Sequence, residues 1–245
     1  MDVKEYLATM KNIQDNLLDF LEKSDNLETD FHRFTDFLSG QHIQDEILKD
    51  FLNLISKISL NHQRTHDFIK KIENILTFLK KDILSIFTNS SLFNVFQNDK
   101  IILLFLFKNQ FLQVDDYIYN RLIKNKDFAE YFEPELIMYQ TKEAFDYSSF
   151  DKIREKGENT SYLCKIIRND SIEEFITYIN KTNLPFQNAK IQPNSFETNP
   201  FLLENKNKLS LVEYAAFFGS IRIVQYLFKN DVELTPTLHL FAIHS

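Results

Sequence analysis

The chain has very few of the residues that form tight turns, with 3 glycines and 5 prolines among 245 residues. A sandwich or barrel of many short strands needs frequent turns, so this composition argues against both and favours an all-α fold. The glycines, Gly40, Gly157 and Gly219, are far apart in the sequence. Their isolation weakens the case for a phosphate-binding loop, which needs several glycines close together.

Cysteine is almost absent. The single residue, Cys164, has no partner for an internal disulfide, which fits a reducing compartment. It lies among Leu163, Ile166 and Ile167, where a buried structural thiol is the ordinary outcome and a nucleophile is the alternative. The N-terminus lacks the basic region and apolar segment of a secretory signal. We therefore expect a cytoplasmic protein, and the nucleus stays open.

Long apolar runs and an excess of positive charge are also missing. The most apolar run covers residues 101–107, whereas a helix that crosses a bilayer needs about 20 residues. We interpret this run as a buried helix segment and expect no membrane association. The net charge is −7, whereas a general nucleic-acid binder carries a basic face. We therefore expect no nucleic-acid partner.

The sequence does contain a helical pattern that continues from the N-terminus to about residue 146. Apolar residues recur at spacings of three and four, as on one face of a helix. The first stripe comprises Tyr6, Leu7, Met10, Ile13, Leu17, Leu18 and Leu21. Similar stripes predict helices over residues 27–40, 43–58, 68–79, 91–107 and 110–124, and another that begins after Pro134. Because the connections are short, we expect antiparallel neighbours, in a bundle or an α-solenoid.

A charged stretch at residues 151–160 has little to bury. We interpret it as a connection between a helical N-terminal region, residues 1–150, and a C-terminal region, residues 161–245.

The most informative part of the chain is residues 209–227, which predict two short helices folded back on each other. Ser210 and Glu213 have the spacing of a capping box, which begins the first helix. Ala215 and Ala216 are small enough to let the two helices approach closely. These residues therefore mark the start of the first helix and the face that packs on the second.

The turn between these two helices is marked by Gly219, which suits the left-handed end of the first helix. Ser220 is then placed to cap the second helix. This motif resembles the helical half of an ankyrin repeat, with Ser210 at the family's Thr position and Glu213 in place of its His. The residues at the family's signature positions are Ala215, Ala216, Gly219, Val224 and Leu227.

Two weaker copies flank this repeat, which covers residues 208–234. One covers residues 161–180 and has Asp170 at the glycine position, which Asp tolerates at modest cost. The spacing exceeds the ankyrin period of about 33 residues, so we interpret residues 181–207 as an insertion. A partial copy covers residues 235–245. The chain as a whole resembles the degenerate ankyrin proteins with a helical N-terminal region that are expanded in some parasitic protists.

The resemblance implies a non-catalytic module that presents a concave helical surface to an unidentified protein partner. The alternative is a structural subunit that self-associates, as a homo-oligomer, through exposed repeat ends. The candidate partner-binding residues are Tyr214, Phe217 and Phe218, since the family usually has polar residues between its Ala-Ala and Gly positions. Exposed aromatic residues there would anchor a partner. The competing interpretation is that residues 181–207 fold over them and make them part of the core.

His62 and His66 are four residues apart, a spacing that suits two metal ligands on one helix. A zinc protease of this kind needs Glu directly after the first His, and the chain has Gln63 there. We therefore expect no metal site, no cofactor and no enzymatic activity.

Overall fold

The structure is a computed structural model that describes residues 2–23, 26–41, 45–61, 66–143, 146–205 and 209–243. It divides into two compact units, unit 1 (Met1–Leu122) and unit 2 (Ile123–Ser245). Within the described residues every regular element is a helix, apart from an isolated β-bridge between Lys190 and Ser210. The predicted all-α class is confirmed. The connection predicted at residues 151–160 lies inside unit 2.

Unit 1 is built from amphipathic helices whose apolar stripes meet in a core. Ile13, Phe51 and Ile72 are completely buried there, and the ring of Phe20 stacks on that of Phe34 with centroids 5.2 Å apart. The described helices of this unit are α1 (Val3–Glu22), α2 (Leu27–Gly40), α3 (Asp45–Asn61), α4 (His66–Phe78), α5 (Lys80–Ile86), α6 (Asn89–Phe96), α7 (Lys100–Lys108) and α8 (Asp116–Leu122).

The helix predicted over residues 91–107 is in fact two helices, α6 and α7, because Asp99 begins a new one. Its Oδ1 accepts the N–H of Ile102 at 3.2 Å, and its Oδ2 accepts the hydroxyl of Ser59 at 2.5 Å. A capping residue has an extended backbone, which interrupts the first helix. The apolar run forms α7, a largely buried segment as predicted. Among the described residues, no helix is long and apolar enough to span a membrane.

Unit 2 contains two helix pairs, each joined by a three-residue turn. In the first pair α12 packs on α13, and in the second pair α15 packs on α16. The two pairs contact each other through α12 with α15 and through α13 with α16. Helix α17 also packs on α15. The described helices of unit 2 are α9 (Lys126–Tyr131), α10 (Glu133–Thr141), α11 (Ser148–Arg154), α12 (Tyr162–Arg168), α13 (Ile172–Thr182), α14 (Pro200–Glu204), α15 (Leu211–Phe217), α16 (Ile221–Lys229) and α17 (Leu238–Ala242).

The expectation that residues 151–160 have little to bury is wrong at Arg154. This side chain is only 2% exposed. Two of its nitrogens donate to the two carboxylate oxygens of Glu135, both at 2.7 Å, and a third donates to Asp151 Oδ1 at 2.8 Å. A buried guanidinium needs such partners. The charged stretch therefore contributes a buried ion pair to unit 2, although residues such as Lys152 and Glu155 are exposed.

Candidate interaction surface

Helix α15 begins with the predicted capping box. Ser210 Oγ accepts the N–H of Glu213 at 3.3 Å, and Glu213 Oε2 accepts the N–H of Ser210 at 2.9 Å. The other oxygen of Glu213 accepts the hydroxyls of Thr235 and Thr237 at 2.7 and 3.0 Å. Burial would raise the pKa of Glu213, but these hydrogen bonds outweigh it and hold the pKa below its ordinary value. Glu213 thus joins α15 to the segment that leads into α17.

Both turns have the predicted left-handed residues. Gly219 has φ 64° and Asp170 has φ 47°. The prediction that the side chain of Ser220 caps α16 is wrong, because its hydroxyl accepts no hydrogen bond from that helix. It donates instead to the carbonyl of Ile167 at 2.6 Å. Ser220 therefore links the second helix pair to the first.

The N-terminus of α16 is capped from the neighbouring pair. The carboxylate of Asp170 accepts the N–H groups of Arg222 and Ile223, each at 3.0 Å. A carboxylate is a strong acceptor for such free N–H groups, which leaves the Ser220 hydroxyl available for Ile167. Arg222 also pairs with Glu173 of α13 at 2.6 Å. The two helix pairs are thus joined by polar contacts at their turns.

The other predicted repeat positions are packing residues. Ala215 and Leu227 are completely buried, and Ala216 is 8% exposed. Val224 is half-buried against the same core. The small side chains of α15 therefore face its neighbours, as expected for closely packed helices.

The structure places two of the three candidate partner-binding residues in the core, which corrects their assignment as surface anchors. Tyr214 is 1% exposed and Phe217 is 8% exposed, whereas Phe218 is half-buried. The ring of Phe217 stacks on Phe201 of α14, with centroids 6.1 Å apart and planes 13° apart. Since α14 lies in residues 181–207, the inserted segment covers Phe217, as the competing interpretation proposed. An exposed apolar ring at this position would be unfavourable in water.

Tyr214 belongs to a buried polar cluster. Its hydroxyl accepts a hydrogen bond from Arg168 Nη1 at 2.8 Å, and burial raises its pKa. Cys164 is 1% exposed, and burial raises the pKa of its thiol as well. A thiol of raised pKa is a poor nucleophile. Both residues therefore have the properties of structural groups.

A buried carboxylate, that of Glu197, fixes the inserted segment. It accepts the N–H groups of Asn159, Thr198 and Asn199 at 3.3, 3.1 and 2.9 Å. Burial raises the pKa of Glu197, although these hydrogen bonds act in the opposite direction. A cavity of about 20 Å³ beside Glu197 and Tyr214 has room for about one water molecule, which is too small for an organic substrate.

Metal ligands are not clustered in the part of the chain that the structure describes, where no three His, Cys, Asp or Glu side chains come together. Of the predicted pair, His62 and the side chain of His66 lie outside the described residues.

Comparison of the chain with protein-family models, with curated proteins and with solved structures finds no significant match. The relationship to ankyrin repeats stays a prediction.

Exposed apolar residues on α16 were missed by the sequence analysis. Ile221 is 65% exposed and Phe228 is 62% exposed. They are seven residues apart and thus lie on one face of the helix, two turns from each other. Ile223 and Leu227 are completely buried and define the opposite, core-facing side. The exposed pair and the buried pair lie in one apolar stretch of the sequence. Assigning each residue to its side of the helix would have revealed the exposed face.

Proposed function

We propose that unit 2 is a non-catalytic protein-interaction module that presents α16 to another protein. The observation that carries this proposal is the exposed apolar face of α16, formed by Ile221 and Phe228. Large apolar side chains grouped on one solvent-facing helix face can anchor a partner. The packing of α12 on α15 and of α13 on α16 supports a relation to ankyrin repeats, in which successive helix pairs stack as a solenoid.

The polar groups of unit 2 support a non-catalytic role, because their hydrogen bonds hold the helix pairs together. Glu213 binds residues on both sides of α15, and Glu197 binds three backbone N–H groups. The lone Cys164 is a free thiol, which is compatible with the cytoplasm or the nucleus.

A photoactivatable amino acid in place of Phe228 tests the proposal in an extract of the source cells. We expect discrete protein adducts from position 228, and we expect them to disappear when the same chain also carries Ile221→Ser. No such adducts should form when the photoactivatable amino acid replaces the exposed residue Glu233 instead. Since Ile221 and Phe228 are exposed, the melting temperature should not change. Identical adducts from positions 228 and 233 would contradict the proposal.

The alternative, a subunit that self-associates, is favoured by a different observation. Leu240 and Ile243, at α17, are 44% and 73% exposed, as expected for a repeat end that stacks on another copy. Light scattering after size-exclusion chromatography tests this over a concentration range. A dimer that dissociates on dilution and is weakened by Leu240→Ser supports assembly, whereas a monomer at every concentration excludes it.

A further inference from the structure

A surface groove of about 250 Å³ lies on α12 and α13. Two tyrosine rings form part of it, those of Tyr162 and Tyr178, with centroids 5.9 Å apart and planes inclined by 58°. Tyr162 is 57% exposed, so its ring is accessible to a ligand. The groove is lined by Tyr162, Glu173, Glu174, Thr177, Tyr178 and Lys181.

The two acidic residues of the groove differ in their surroundings. Glu173 is paired with Arg222 at 2.6 Å. Glu174 Oε2 accepts the hydroxyl of Tyr162 at 3.3 Å, and among the described residues no Lys or Arg forms an ion pair with it. The charge of Glu174 raises the pKa of Tyr162. Lys181 is two turns farther along α13, about 10 Å away along the helix axis.

We propose that this groove binds the positively charged side chain of an Arg or Lys residue in a partner protein. A cation within about 6 Å of an aromatic centroid is attracted to the ring face, and Glu174 supplies a carboxylate beside the two rings. The volume of about 250 Å³ is below the usual range for drug-sized ligands, about 300–1,000 Å³, and suits a single side chain. The net charge of −7 favours encounter with cationic partners.

The groove borders the proposed interaction helix. Arg222, which pairs with Glu173 of the groove, directly follows Ile221 in α16. A partner that covers Ile221 can therefore place a cationic side chain in the groove. The inference rests on the proposed function in this respect, since a protein partner carries the cation.

NMR of the full chain with ¹³C-labelled tyrosine rings tests this inference with a small probe. The probe is N-acetyl-arginine N-methylamide, and its neutral counterpart is the citrulline compound, which has nearly the same shape. We expect the arginine compound to shift the signals of Tyr162 and Tyr178 saturably, and the citrulline compound to bind at least about fivefold more weakly. Equal binding of the two compounds would overturn the proposal.

Two variants locate the site, and a third is the matched control. Tyr162→Leu and Glu174→Gln should each weaken binding of the arginine compound about two- to fivefold. Glu233→Gln removes the same charge at an exposed position outside the groove and should leave binding unchanged. If Glu174→Gln and Glu233→Gln behave alike, the proposal fails.

The two proposals fail separately. If the arginine compound binds no better than the citrulline compound but adducts still form from position 228, the groove proposal alone is rejected. Arginine binding without any specific adduct would reject the interaction helix alone.

Discussion

Both units have helices that begin at a local cap, as α15 of unit 2 does at Ser210, but one helix of unit 2 is capped by a distant residue. In unit 1 several helices are capped by the residue that directly precedes them, as Asp2 caps α1, Thr88 caps α6 and Asp99 caps α7. In unit 2 the start of α16 is capped by Asp170, a residue of the other helix pair. Neighbours in the sequence thus determine where α1, α6 and α7 begin. The start of α16 depends instead on a contact between residues that are distant in the sequence.

The interiors of the two units are built from the same kinds of groups. The core of unit 1 contains stacked and tilted aromatic rings, such as Phe20 and Phe34. Unit 2 buries rings as well, and both units bury charged groups: Asp99 and Lys71 in unit 1, and Glu197, Glu213 and Arg154 in unit 2. Such groups stabilise a structure only while every partner is in place. We therefore expect the loss of a single buried polar group to destabilise either unit.

The largest expected effect concerns buried rings, where the two units should behave alike. Phe51→Ala in unit 1 and Phe217→Ala in unit 2 should each reduce the free energy of unfolding by about 3–5 kcal/mol, because each leaves a cavity. Hydrogen-exchange mass spectrometry should show faster exchange mainly in the unit that carries the change.

Phe228→Ala is the matched control for Phe217→Ala, since Phe228 is 62% exposed. It should change the free energy of unfolding by no more than about 0.5 kcal/mol. If Phe217→Ala proved equally mild, the assignment of Phe217 as an exposed anchor would be restored.

The next effect comes from the removal of a buried charge in unit 2. Arg154→Ala should reduce the free energy of unfolding by about 3 kcal/mol, since it leaves the carboxylate of Glu135 without its partner. We expect the low end of the range for buried pairs because Asp151 is 26% exposed. Urea unfolding measures this change. Lys152→Ala, an exposed residue of the same helix, should have almost no effect, and a large effect there would point to the helix rather than the ion pair.

Local patterns predicted much of unit 1 and a defined part of unit 2. Apolar spacing predicted the stripes of α1 to α4, and the capping box of Ser210 and Glu213 follows from a spacing of three residues. The left-handed conformations of Gly219 and Asp170 were predicted because few residue types adopt them. Each of these features depends on interactions within a few residues along the chain.

Features that depend on distant residues were not predictable in the same way. Ser220 donates to Ile167, 53 residues away, so its spacing to α16 gave the wrong partner. Arg154 lies in a charged stretch, where side chains are usually solvated, and its burial depends on the distant carboxylate of Glu135 as well as on Asp151. The stacking of Phe201 on Phe217 involves an inserted segment without helical periodicity.

A smaller effect should depend on pH. Glu213→Gln should reduce the free energy of unfolding by about 1–2 kcal/mol at pH 7, because an amide cannot accept all the hydrogen bonds that the carboxylate accepts. The folded pKa of Glu213 is below its ordinary value of 4.5. Its contribution is therefore complete above that value and is lost as the pH falls through the folded pKa.

Urea unfolding of the original chain and of Glu213→Gln between pH 7 and pH 3 measures this dependence. The difference between the two proteins should shrink as the pH decreases below 4.5. Glu233→Gln, at an exposed position, is the control for the loss of charge. A difference that grew towards low pH would show that the carboxylate destabilises the folded state.

The smallest effect is a change of opposite sign at two glycines, one in each unit. Gly219 has φ 64°, a conformation in which a Cβ atom is unfavourable, so Gly219→Ala should reduce the free energy of unfolding by about 1 kcal/mol. Gly40 is the last residue of α2, and a Cβ atom added there meets nothing within 4 Å.

Gly40→Ala should therefore increase the free energy of unfolding by about 0.5–1 kcal/mol, because alanine favours the helix and restricts the unfolded chain. Urea unfolding followed by circular dichroism measures both changes. Because the local chemistry of the two substitutions is the same, opposite signs would arise from backbone conformation alone. A loss of stability at Gly40 would mean that α2 does not continue to this residue, and that the helix ends of unit 1 are less regular than its apolar stripes indicate.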